Sequence, residues 1–195
     1  MASVKSLCVF CGASARVDTA YRDAASRFGE LIARSGVELV FGGGRIGLMG
    51  LVAGAALGAG GRVFGVIPRH LHDFELGDRP PLGELTVVET MHARKALMFE
   101  RADAFAILPG GLGTLDETFE IVTWKQLGLH DKPIVIVDVA GYWGPLRALL
   151  DQVVTAGFAP PGARDLYRIV SSVDDVLPLL KRLPEPSLTP KSLLS

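Results

Sequence analysis

Cysteine is scarce in this chain, with only Cys8 and Cys11 among 195 residues. No second pair exists to complete a metal site, and a chain of this length buries roughly 70% of its unfolded surface without a covalent staple. The CxxC spacing is a poor redox motif, because Cys8 lies inside the apolar run LCVFC and not at a helix start, where a thiol is acidified. We expect Cys8 in the core and Cys11 toward the C-terminal edge of its strand. Excess charge is also missing: 20 basic and 21 acidic residues leave a net charge of −1 and a pI near 6.4. That balance gives no general attraction to nucleic acid or to an anionic membrane, so any anion must be held by a local site. The longest uncharged run, IGLMGLVAGAALGAGG, is too short and too rich in glycine to span a bilayer, and no basic segment leads into an apolar stretch at the N-terminus. The expectation is a cytoplasmic protein with a small-molecule ligand, binding neither nucleic acid nor membrane.

What the chain does have is apolar sequence and glycine. A 49% hydrophobic composition, 23 glycines and a mean hydropathy of +0.34 suit a buried parallel sheet covered by close-packed helices. Apolar runs of strand length (SLCVF, ELVFG, RVFGVI, LTVVE, AFAIL, PIVIVD, YRIV) alternate with helical periods over 18–35, 47–60, 91–101, 114–127, 144–156 and 173–182. Such alternation predicts an α/β fold, a doubly wound Rossmann-like parallel sheet with helices on both faces. One nucleotide-binding domain is expected over 1–183, followed by a disordered proline- and serine-rich tail, 184–195. Residues 68–85, with Pro68, Pro80 and Pro81, show no clear period and read as a lid or interface loop.

Ligands of open parallel sheets bind beyond the C-terminal strand ends. Three loops there are small and flexible: CGAS (11–14), GGGRIGLMG (42–50) and PGGLGT (109–114). Helix amides exposed behind such glycines form an anion site, which suggests a phosphate. Gly42, Gly44 and Gly47 match GxGxxG, but the next strand ends in Pro68 and Arg69 without the acidic residue that holds a dinucleotide ribose. A P-loop fails as well, because Leu48 stands where its lysine belongs. A mononucleotide is left. Thr114 and Glu117 form a T-x-x-E capping box, a role compatible with phosphate binding by Gly110 and Gly111. Arg94 and Lys95, in ETMHARKALM, oppose a helix dipole unless a phosphate or carboxylate lies nearby.

PGGLGTLDE, MHARK and GGGRIGLMG, in one chain, resemble the Lonely Guy family, the cytokinin riboside 5′-monophosphate phosphoribohydrolases, over residues 7–180. The resemblance implies Arg94 and Glu117 as the catalytic pair. It also implies a 5′-phosphate cradle of Gly110, Gly111, Gly113 and Thr114, with Ser14, Gly43, Gly44, Met49 and Lys95 lining the nucleotide site. A homodimer with the site near the subunit boundary is part of the same implication. One departure is Gly12-Ala13-Ser14, where the family commonly has two serines. The lysine decarboxylase label often given to this family finds no support here, since nothing around Lys95 resembles a pyridoxal phosphate pocket.

Cleavage between N9 and C1′ passes through an oxocarbenium-like state, which a Glu117 carboxylate can stabilise while Arg94 meets the charge on the departing base or positions Glu117. This chemistry requires no metal and no cofactor. His70 and His72 form an HxH without a third ligand, and His130 reads as a surface loop residue. Trp124 reads as either core or pocket lining. An AMP nucleosidase and a non-catalytic nucleotide-binding module are the alternatives.

Overall fold

The computed structural model describes residues 4–184 and 186–188. Its centre is a seven-stranded parallel sheet: β1 (Ser6–Phe10), β2 (Glu38–Phe41), β3 (Val63–Pro68), β4 (Glu84–Val88), β5 (Ala104–Ile107), β6 (Ile134–Val137) and β7 (Arg168–Val170). The strand order is β4-β3-β2-β1-β5-β6-β7, so the chain winds outward from β1 in one direction, returns, and winds outward in the other. The reversal falls between β1 and β5, which pair from Leu7↔Ala104 to Phe10↔Ile107. Parallel pairing throughout requires a crossover after each strand, and helices α1 (Thr19–Arg34), α2 (Gly47–Gly58), α3 (Arg69–Leu76), α4 (Met91–Arg101), α5 (Leu112–Gln126) and α6 (Gly144–Thr155) supply them. A last helix, α7 (Val176–Leu180), follows β7.

The near-continuous apolar strands follow from burial on both faces. Leu7 and Val9 of β1, Leu39 and Phe41 of β2, and Val135 and Val137 of β6 pack with Phe28 and Ile32 of α1 and Val52 and Ala56 of α2. The alternate residues Cys8, Phe10, Val40, Ile134 and Ile136 pack on the other side with Met98 and Phe99 of α4 and Ile121 of α5. The predicted doubly wound sheet is thus present, with every predicted strand and helix within two or three residues of its expected limits. Among the described residues no helix is long and apolar enough to cross a membrane.

Two expectations need correction here. The segment 68–85 carries α3, whose inward residues are a carboxylate and a leucine, Glu75 and Leu76, beside the 76% exposed Phe74. The helix is only two turns long and buries a carboxylate while exposing an aromatic, so its burial runs against the polarity of its residues. His130 lies within the core, 1% exposed. Its Nε2 donates to the Ile121 carbonyl (2.9 Å) and its Nδ1 accepts from the Lys132 amide (3.1 Å), so backbone groups satisfy the ring and permit its burial. Burial pushes its pKa down to about 4. The tail expected over 184–195 lies largely outside the described residues, although Ser187 and Leu188 both donate to the Asp131 carboxylate.

Candidate active site

The loops after β1, β2 and β5 meet at the sheet's reversal point and are tied by backbone hydrogen bonds. Gly12 donates its amide to the Pro109 carbonyl (3.0 Å), and Leu48, at the start of α2, donates to the Gly12 carbonyl (2.9 Å). The three glycine-rich stretches therefore form one surface above the strand ends, where open α/β sheets bind ligands. Ser14 lies exposed on the first loop, its hydroxyl accepting from the Arg16 amide at 3.2 Å.

Beneath this surface lies a buried ion pair. Arg94 of α4 is 9% exposed and Glu117 of α5 is 7% exposed. The Arg94 Nη1 donates to Glu117 Oε1 at 2.9 Å, Nε to the Val66 carbonyl at 3.1 Å and Nη2 to the Gly42 carbonyl at 3.3 Å. Three of five guanidinium N–H groups are thus committed, which locks the group in place and leaves two donors for a ligand. The absence of a side chain at Gly42 is what allows this approach, since a Cβ there would lie 1.9 Å from Arg94 Nη2. Gly43 turns the chain in the left-handed region, φ +75°.

Desolvation raises the Glu117 carboxyl to about 6, against the lowering effect of Arg94, with Asp116 raising and Lys95 lowering it further. Burial in apolar surroundings outweighs one short ion pair, leaving a carboxylate that is ionised but poorly solvated at neutral pH. Lys95, the neighbour of Arg94, bonds Asp116 at 3.0 Å and Glu120 at 3.0 Å. The conflict of two cations with the α4 dipole is relieved by three carboxylates of α5, the same three that crowd the stretch behind PGGLGT.

The capping-box reading is overturned. Helix α5 begins at Leu112 with Gly111 as its N-cap and no side-chain cap bond, so Thr114 and Glu117 are already within the helix. Glycine can start the helix here because the loop ahead is held elsewhere, and Glu117, beyond the first turn, faces Arg94 instead of the amide ends. The first amide of this helix to find a carbonyl is that of Leu115, which donates to Gly111 (3.0 Å). Among the described residues the amides of Gly110, Gly111, Leu112, Gly113 and Thr114 have no backbone acceptor. Gly111 and Gly113 are exposed with open space around them, whereas Thr114 is buried. Unpartnered amides at a helix start, with no acidic side chain in the first turn, suit an anionic group.

A further residue escaped the sequence reading. Glu75 of α3 is 9% exposed and its Oε2 is buried with no hydrogen-bond partner. Burial raises its carboxyl above the usual range, partly offset by Arg94. A Cβ on Gly44 would lie 2.7 Å from Glu75 Oε2 and 2.8 Å from Met49 Cε, which places this carboxylate beside Gly44 and Met49. A lone Glu gives no signal of burial in a single sequence. Its only cue is the glycine run that leaves room for it.

Other candidates fall outside the site. Trp124 packs edge-on against Phe99, with ring centroids 5.1 Å apart, in the core beneath α5. Cys8 and Cys11 are free and buried in opposite cores, and burial raises both thiols. His92 and His70 are exposed.

A family model described as "possible lysine decarboxylase" matches residues 49–180. A cytokinin riboside 5′-monophosphate phosphoribohydrolase of Arabidopsis thaliana is 46% identical over 92% of this chain and 82% of its own length. The chain belongs to the Lonely Guy family. A probable enzyme of the same description from Oryza sativa subsp. japonica is 45% identical over 93% of this chain and 84% of its own. Among solved structures, the molybdenum cofactor binding protein from Rippkaea orientalis superimposes with a TM-score of 0.67 at 22% identity, over 92% of this chain and 98% of that one. That likeness concerns the fold. The family relationship covers both the MHARK helix and the PGGLGT loop, so Arg94 and Glu117 lie inside the shared region.

Proposed function

We propose that this member of the Lonely Guy family is a phosphoribohydrolase that cleaves cytokinin riboside 5′-monophosphates to the free N6-substituted adenine and ribose 5-phosphate. The observation that carries this reading is the buried Arg94–Glu117 pair, at 2.9 Å, beside a helix start with five unpartnered amides. The amides of Gly110, Gly111, Gly113 and Thr114 suit the 5′-phosphate. Ser14, Gly43, Gly44, Met49 and Lys95 lie on the surrounding loops and helices and belong to the nucleotide site in this reading, with Glu75 added as a carboxylate able to accept from a ribose hydroxyl.

In the reaction, water attacks C1′ as the C1′–N9 bond breaks, and the electron pair of that bond leaves with the base, which takes up a proton. Glu117, ionised and poorly solvated, stabilises the cationic C1′ and orients the water, an effect strengthened by the low local polarisability. Arg94, fixed by two backbone carbonyls, positions that carboxylate and offers its remaining donors to the substrate. Two further elements of the reading are a cytoplasmic location, in keeping with the net charge of −1, and a homodimer. The dimer is supported by an apolar groove between α5 and α6, lined by Phe119, Val122, Leu150 and Val153, with Phe119 38% exposed.

The test is chromatographic detection of free base after incubation with isopentenyladenosine 5′-monophosphate and, separately, with AMP. Faster release from the isopentenyl substrate is expected. Faster release from AMP would make the protein a general AMP nucleosidase, and binding without release would make it a nucleotide-binding module. Glu117→Gln should abolish turnover while AMP still binds.

A further inference from the structure

We propose that Tyr142 is a positioning residue for the phosphate cradle, and the proposal rests on the phosphoribohydrolase reading above. Its hydroxyl donates to the Gly110 carbonyl at 2.6 Å, across 32 residues of sequence. Gly110 precedes the Gly111 N-cap, so its carbonyl lies ahead of the backbone ladder of α5, which opens with Leu115 donating to Gly111 (3.0 Å), and the partner of that carbonyl comes from a different element, the turn that carries Tyr142.

The consequence for the loop follows from the planar trans peptide, in which C=O and N–H point in opposite directions. The chain contains no cis peptide among the described residues. The Gly12 amide holds the Pro109 carbonyl (3.0 Å) and Tyr142 holds the next one, so two consecutive peptide units of a Pro-Gly-Gly loop have fixed orientations. The Gly110 and Gly111 amides must then point away from those partners. Without the second pin, a Gly-Gly peptide unit has more rotational freedom than one flanked by side chains.

The delivery of the hydroxyl is itself built. Ala140, at φ 52°, is the one non-glycine residue with positive φ among those described. It sits in the turn after β6, where Asp138 Oδ1 accepts from the Trp143 amide at 2.6 Å and Gly141 follows at φ +74°. Left-handed backbone at alanine costs about 1 kcal/mol and persists where the surroundings over-determine it. The Tyr142 ring is held edge-on between Tyr21 (5.5 Å) and the buried Trp143 (4.8 Å). The ring's single polar atom goes to the cradle, so the strained turn has a product at the site.

Tyr142→Phe keeps the ring and removes the hydroxyl. The expected result is an increase of about tenfold in the KM for the nucleotide monophosphate and in the Ki of ribose 5-phosphate, with kcat within about twofold of the parent. Inhibition by free adenine should be unchanged, and so should the thermal midpoint. A merely structural role would move adenine inhibition or the midpoint together with the phosphate readouts, and that pattern overturns the proposal. An active parent enzyme with unchanged KM in Tyr142→Phe overturns the proposal alone. A parent protein that neither releases base nor binds ribose 5-phosphate overturns the underlying reading, and the proposal with it.

Discussion

If Glu117 acts as a carboxylate, its raised pKa must appear in the pH dependence of turnover. Desolvation takes the group from 4.5 to about 6, although Arg94 sits at 2.9 Å. With a midpoint near 6, about 90% of the enzyme carries the ionised form at pH 7 and about 10% at pH 5, so kcat should fall roughly tenfold across those two units. An unperturbed carboxyl at 4.5 would lose only about a quarter over the same interval. The same shift has a stability consequence. Because the folded value lies above the unfolded one, the protonated form contributes about 2 kcal/mol that is fully present below pH 4.5 and lost as pH rises through about 6. At neutral pH the native protein carries that cost in order to keep a desolvated anion beside the bound ribose.

The measurement needs care, because a phosphate monoester itself titrates near pH 6. The limb is therefore read in kcat at saturating substrate, and the carboxyl is followed in the ligand-free protein by carboxyl carbon NMR with labelled glutamate. The resonance absent from Glu117→Gln should titrate near pH 6. A midpoint below 5 for that resonance would refute the argument that burial outweighs the Arg94 pair, and a kcat that is flat between pH 5 and 7 would refute a raised Glu117 carboxyl in the bound complex.

Two substitutions probe the neighbours of this pair. Glu75→Gln replaces a buried carboxylate that has an orphan oxygen, so the thermal midpoint should rise while nucleotide affinity falls; a lower midpoint would show that the charge is compensated. Gly42→Ala places a methyl 1.9 Å from Arg94 Nη2. Displacing the clamped guanidinium should reduce kcat by more than tenfold at a stability cost of about 1–3 kcal/mol, and a variant of parental activity would show that the Arg94 geometry is dispensable.

The sheet was legible because each strand is buried on both faces and so reads as a short apolar run, and because glycines mark where strands hand over to loops. The site loops were legible for the same reason: Gly42, Gly44 and Gly110 are positions where a side chain would strike Arg94, Met49 or Thr114, and Gly43 takes a left-handed turn. What the sequence hid were contacts between distant segments. Thr114 and Glu117 have the spacing of a cap, yet α5 starts two residues earlier, and the carboxylate pairs with an arginine 23 residues away. Glu75 was hidden because an acidic residue reads as a solvent-facing position, and Tyr142 because an aromatic after a glycine reads as a turn.

These omissions share a physical origin. Local patterns report how a residue satisfies its own element, whereas Glu75, Glu117, Arg94 and Tyr142 each spend a polar group on another element. Two of them are left in unfavourable states: Glu75 with an orphan oxygen, and Glu117 with a carboxyl raised to about 6. Burial without full compensation is costly for stability and is tolerated where a ligand completes the set. The position of these two carboxylates, around one guanidinium at the reversal point of the sheet, is therefore stronger evidence for where the substrate sits than the glycine motifs, which describe only the room made for it.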